Sequence, residues 1–136
     1  MSASAGYVER PHTADWALEV WAPDVPALLA QAALGMAALM GIQTRSGPRL
    51  TREFEVPYSD LETLLVGFLS EVLYLIHHDG VSFDQFDLQL SPHRLHAAIS
   101  GQPIDQLAKE IKAVTYHDLR VTTTARGLTA TLVFDV

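Results

Sequence analysis

An α+β fold in two layers, with two helices packed on one face of a mainly antiparallel β-sheet, is what this sequence predicts. Two long apolar stripes recur at helical spacing, and several shorter segments alternate with a period of two. Short turns join the alternating segments in pairs, the mark of hairpins and so of antiparallel pairing. At 136 residues the chain suits one domain with a real core. An apolar fraction of 49 % beside a charged fraction of 18 % separates it from disordered chains.

Residues 1–6, Met-Ser-Ala-Ser-Ala-Gly, carry no basic cluster and no apolar run. They read as a disordered tail rather than a secretory signal, leaving 7–136 as a single domain. Residues 12–21 alternate as a half-buried strand, with Ala14, Trp16, Leu18 and Val20 on one parity and Thr13, Asp15 and Glu19 on the other. Pro23 breaks the strand and Asp24 offers an N-cap. Val25, Leu28, Leu29, Ala32, Met36, Leu39 and Met40 then follow helical spacing, with Gly41 as the stop.

A second strand is expected over 50–58, with Phe54 and Val56 on one face. Ser59 and Glu62 have the spacing of a capping box for the second helix, whose stripe is Leu61, Leu64, Leu65, Phe68, Val72 and Ile76. His77 and His78 suit its carbonyl end and Gly80 can close it. From Phe83 the period becomes two, and Ser91-Pro92-His93 turns a hairpin whose return strand holds Leu95, Ala97 and Ile99. A polar link over 101–109 follows, then 110–117 as a strand or irregular link. Residues 119–124 and 128–136 form a last pair about Ala125-Arg126-Gly127. In its final strand Leu128, Ala130, Leu132 and Phe134 share one face, and Thr129, Thr131, Val133 and Asp135 the other.

Charge and motif content narrow the function. Sixteen acids against 9 Lys and Arg give a net charge of −7, which repels a phosphate backbone, so direct nucleic-acid binding is not expected. The Ala-rich segment 25–42 barely reaches spanning length and reads as a buried helix, so no membrane partner is expected. Without cysteine there is neither a disulfide nor a thiolate site, which fits a cytoplasmic protein. No Walker loop, dinucleotide turn, Gly-x-Ser-x-Gly or HExxH pattern occurs, and the six histidines lack zinc spacing. Glu71, just off the apolar stripe, reads as a solvated acid.

Asp15 and Asp135 point away from the apolar faces of their strands. If the first and last strands are neighbours, these carboxylates converge, with the free carboxylate of Val136 beside them. Oxygen ligands without sulfur suit a hard cation such as Ca²⁺ or Mg²⁺. Such a site should not tolerate an extension after Val136. From spacing alone both residues read first as ordinary solvated acids, and Lys112 as an ordinary surface lysine.

Four blocks carry a resemblance. His12-Thr13-Ala14-Asp15, then Leu64-Leu65-Val66 through Glu71-Val72-Leu73-Tyr74-Leu75, Lys112-Ala113-Val114-Thr115-Tyr116-His117, and a terminal Phe134-Asp135-Val136 resemble the archease family, in order, over 7–136. The resemblance implies a non-enzymatic activator of an RtcB-type RNA ligase, the GTP-dependent enzyme of tRNA splicing and RNA repair. It implies promotion of ligase guanylylation and turnover. The family's essential acids match Asp15 and Asp135, beside Val136, as a site for a divalent metal ion (Ca, Mg or Mn). Its essential lysine matches Lys112, as a contact to the ligase active site. Gly67 and Phe68 depart from the family's usual polar residue and Trp, and the 101–110 link looks short. Competing readings are a metal-dependent enzyme using the same acids, and a general chaperone, which needs an exposed apolar patch.

Overall fold

Two aspartates start the two helices, each from an extended backbone that frees its side chain to cap. The computed structural model describes residues 4–10 and 16–136. Helix α1 spans Val25–Leu39; the Asp24 carboxylate accepts the Ala27 N–H at 2.9 Å, and Gly41 follows the cap residue Met40 with φ of 62°. Helix α2 spans Leu61–Asp79 and ends on Gly80, whose left-handed φ of 65° brings its N–H to Ile76 O.

The α2 capping box differs in its members from the expected Ser59 and Glu62. Asp60 accepts the Thr63 N–H at 2.8 Å, and Thr63 Oγ1 accepts the Asp60 N–H at 3.2 Å. Asp60 is the residue immediately before the first helical turn, so Ser59 stands one position too early. Glu62 is free for a long-range bond and accepts the Val121 N–H at 2.7 Å.

The described residues hold nine strands: β1 Gly6–Arg10, β2 Trp16–Ala22, β3 Gln43–Thr44, β4 Leu50–Pro57, β5 Val81–Ser91, β6 Arg94–Gln106, β7 Ala113–Thr115, β8 Thr122–Thr124 and β9 Gly127–Asp135. The α+β class, the helices and the antiparallel pairing match the sequence expectation, while the strands sort into two sheets. One has the order β1-β2-β9-β7, with β8 also on β9; the other has β3-β6-β4, with β5 also on β6. Helix α1 packs on β2 and β5, and α2 on β4, β5 and β7, so both helices bridge the sheets.

Three boundaries moved. Gly6, placed in the tail by sequence, begins β1 and pairs with Trp21; residues 1–3 lie outside the described residues. The expected link 101–109 is largely strand, because β6 continues opposite β5 through Phe83↔Gly101, Ser82↔Gln102 and Val81↔Pro103. Gly101 makes this approach possible: a Cβ there would stand 1.9 Å from Ser82 O. Residues 119–121, expected as strand, are irregular and precede β8, because the Val121 N–H is spent on Glu62 rather than on a ladder.

The core lies between the helices and the inner faces of both sheets. Phe68 is fully buried, with Phe54 and Phe86 rings at 6.0 and 6.4 Å. Gly67 lets α2 come down beside β4, since a Cβ there would meet Val56 Cγ1 at 2.8 Å. By length and composition α2 is apolar enough to cross a membrane, yet Leu64, Leu65, Phe68, Leu69 and Val72 are all in the core.

Asp79 closes α2 where the helix dipole disfavours an anion. Its carboxylate is held by His78 Nδ1 at 3.0 Å and by Arg52 at 3.1 and 3.4 Å. The His78 hydrogen bond is the largest cause of a pKa below the ordinary carboxylate value; burial opposes it, and Arg52 adds to the lowering. Since the folded value is depressed, the stabilisation is complete above the unfolded pKa and is lost as pH falls through the folded one.

Two outcomes follow for stability. Gly101→Val should lower unfolding free energy by about 1–3 kcal/mol or more in urea titrations, because backbone stands where the side chain must go. Arg52→Met should flatten in part the loss of melting temperature on acidification below the ordinary carboxylate pKa; an unchanged acid profile would remove Arg52 from that role.

Candidate functional site

The last residues of β9 are positioned by what is buried just before them. Ala130, Leu132 and Phe134 are buried against the helices, so alternation turns Thr131 and Asp135 to the other face, where both are exposed. Val133 on that same face is nevertheless 3 % exposed, beside the equally buried Ala17, so the face is not uniformly solvated.

Strand β9 is flanked on both sides here. Against β7, Val114 stands opposite Phe134 and Ala113 opposite Asp135. The Lys112 N–H donates to Asp135 O at 2.7 Å, and Thr115 Oγ1 donates to Val133 O at 2.9 Å. Against β2, Trp16 stands opposite Phe134. Trp16 is the chain neighbour of Asp15, as Phe134 is of Asp135. Asp15 itself, with the whole of 11–15, lies outside the described residues.

Lys112 is presented by two buried anchors, Ile111 and Val114, with Lys112 and Ala113 exposed between them. His77 Nε2 lies 3.4 Å from Ile111 O and links this segment to α2. Lys112 lines a groove of about 350 Å³ with Ser70, Leu73, Tyr74 and His77 of α2 and with Ala113 and Val114. Lys112 and Asp135 are therefore neighbours through the main chain, and Asp135 is not among the residues that line the groove. Among the described residues no ion pair joins Lys112 to any acid.

The described residues bring together Lys112, Asp135 and Val136, the last 37 % exposed. Within them no group of three or more His, Asp or Glu is arranged to hold a metal, and Asp15 stands outside that set. The donors named for the site are oxygen ligands only, the chemistry that fits Ca²⁺, Mg²⁺ or Mn²⁺ and not a thiolate-seeking metal. The sequence reading missed the groove. Its signal was the spacing of Ser70, Leu73, Tyr74 and His77, one face of a helix that brings a hydroxyl, a phenol and an imidazole to one side.

Comparison with known proteins places this arrangement. Residues 7–136 match the model of the archease protein family (MTH1598/TM1083). The chain is 33 % identical over 118 residues to protein archease of Thermococcus gammatolerans, covering 81 % of this chain and 83 % of that one. It is 32 % identical over 139 residues to protein archease of Methanosarcina barkeri, covering 96 % and 95 %. Among solved structures, protein 1598 of Methanobacterium thermoautotrophicum superposes with a TM-score of 0.73 at 21 % identity, covering 96 % of this chain and 99 % of that one. An archease of Thermotoga maritima, described as a possible chaperone, gives 0.69 at 23 % identity, covering 95 % and 98 %. These two likenesses speak for the fold; with the family match and the curated relatives beside them, the chain belongs to the archease family.

Proposed function

We propose that this chain is a non-enzymatic, metal-binding activator of an RtcB-type GTP-dependent RNA ligase, acting in the cytoplasm in tRNA splicing or RNA repair. The observation that carries the reading is the junction at the end of β9. There the Lys112 N–H meets Asp135 O at 2.7 Å, and Trp16, next in sequence to Asp15, pairs with Phe134. Two residues that match essential family positions, Lys112 and Asp135, thus meet through one main-chain hydrogen bond, and the chain neighbour of the third pairs with Phe134.

In this reading Asp15 and Asp135, with Val136 beside them, hold a divalent cation. A hard cation of this kind supplies neutralisation of the charge that develops on phosphate oxygens during phosphoryl transfer. Asp135 is exposed and so able to present its carboxylate to a partner's active site. Lys112 contributes a compact, unpaired ammonium to a phosphate or to a ligase carboxylate. The net charge of −7 argues for acting through the ligase rather than on RNA directly.

Mixing the protein with its ligase, GTP and Mn²⁺ should accelerate formation of the guanylylated ligase. Asp15→Ala, Asp135→Ala and Lys112→Ala should each lower that stimulation at least about tenfold, or ~1.4 kcal/mol, with unchanged circular dichroism. No acceleration by the wild-type chain would end the activator reading, and full activity of all three variants would end the residue assignment. Turnover of a substrate by the chain alone would favour an enzyme; protection of unfolded clients without ligase would favour a chaperone. Independently of the ligase, Ca²⁺ or Mn²⁺ should raise the melting temperature of the wild-type chain and leave that of Asp135→Ala unmoved.

A further inference from the structure

We infer that the groove between α2 and β7 binds a nucleoside 5′-phosphate, the base against Leu73 and Val114 and the phosphate at Lys112. Its volume of about 350 Å³ falls in the range of small-molecule sites, about 300–1,000 Å³. Its makeup is also that of such sites, an apolar wall with a few polar groups at the rim.

The charge at the rim is what selects an anion. Arg10, Arg49, Arg52 and Arg94 are paired with Glu19, Asp84, Asp79 and Glu55, and Lys109 and Arg126 lie over the rings of Trp16 and Trp21. Lys112, like Arg45 and Arg120, has neither kind of partner among the described residues, and of these three it alone lines the groove. An unpaired ammonium beside an apolar wall, in a protein of net charge −7, is a poor arrangement for stability and a good one for a ligand that is both anionic and apolar. No acid is among the lining residues, and Asp79 is already held by Arg52 and His78.

The wall selects a flat ring. Tyr74 is 56 % exposed, and His78 stacks on its ring at 5.4 Å and 24°. A stacked pair of this kind holds an aromatic edge at the mouth of the groove, which favours a planar partner over a branched aliphatic one. The choice of a nucleoside among planar anions rests on the activator reading, because the ligase proposed above works on guanine nucleotides and RNA ends.

The test uses the ligase-free chain, ¹⁵N-labelled and titrated with guanosine monophosphate. Saturable shifts are expected at the amides of Tyr74, His77, Ala113 and Val114. Lys112→Met should weaken binding at least about tenfold. Ser70→Trp, at an exposed position on the lining, should block binding while leaving the remaining spectrum folded. Absence of saturable shifts, equal affinity for guanosine or for inorganic phosphate, or wild-type affinity in Lys112→Met would each overturn the inference. Ligase stimulation without nucleotide binding would sink the groove alone, and nucleotide binding without stimulation would sink the activator reading alone.

Discussion

Everything at the functional end of this protein depends on the register of β9 between β2 and β7. Phe134 is the pin: it is fully buried and stands opposite Trp16 on one side and Val114 on the other. Burying such a ring contributes roughly 1.5–3 kcal/mol, and a slip of one residue would turn it out to solvent with Leu132 and Ala130. The register is therefore held by the core, and the positions of Asp135, Ala113 and Lys112 follow from it. The energy that fixes the site lies outside the site.

The helix side is set by a different constraint, how closely backbones can approach. Gly67 lets α2 settle beside Val56, and this brings Phe68 between Phe54 and Phe86. Gly101 lets β5 and β6 run together past the point where a side chain would strike Ser82 O. Residues that look like departures from a helix or a strand are thus where the elements touch. With α2 seated this way its Ser70–His77 face reaches the segment Ile111–Val114, and the groove exists because neither element fills the space between them.

The helices were legible because a long apolar stripe has few alternative readings, and the Asp24 cap and the Gly80 stop are local chemistry. The strands with strict alternation, such as β9 and the middle of β6, were legible for the same reason. What was not legible depended on a distant partner. Gly6 becomes strand only because Trp21 lies across from it, residues 101–106 only because β5 does, and 119–121 leave the ladder only because Glu62 comes from a helix far off in sequence. The division into two sheets belongs to this class too, since alternation tells which face is buried and not which strand lies next door. For the site, the outward placement of Asp135 was readable from parity. The closeness of Lys112 to it was supplied by family resemblance and not by spacing, and the groove went unread because its Ser70 and Tyr74 carry no charge to draw notice.

The proposed cation site and a basic group in one small region present a physical conflict that the sheet resolves. Two unit charges about 4 Å apart, at an effective dielectric constant of 20, attract by about 4 kcal/mol. A lysine that close to Asp135 would compete with a divalent ion for the carboxylate, and the acid in turn would deny the lysine to a phosphate. Strand alternation sends Asp135 to one face of β9, while Lys112 lines the groove toward α2. Only the main chain joins them, through the 2.7 Å bond from the Lys112 N–H to Asp135 O. Each charge therefore keeps its capacity for an outside partner, yet the two cannot drift apart. For a protein proposed to act on another enzyme's phosphoryl transfer, that is the useful arrangement: opposite charges whose backbones are tied together and which are left unsatisfied by one another.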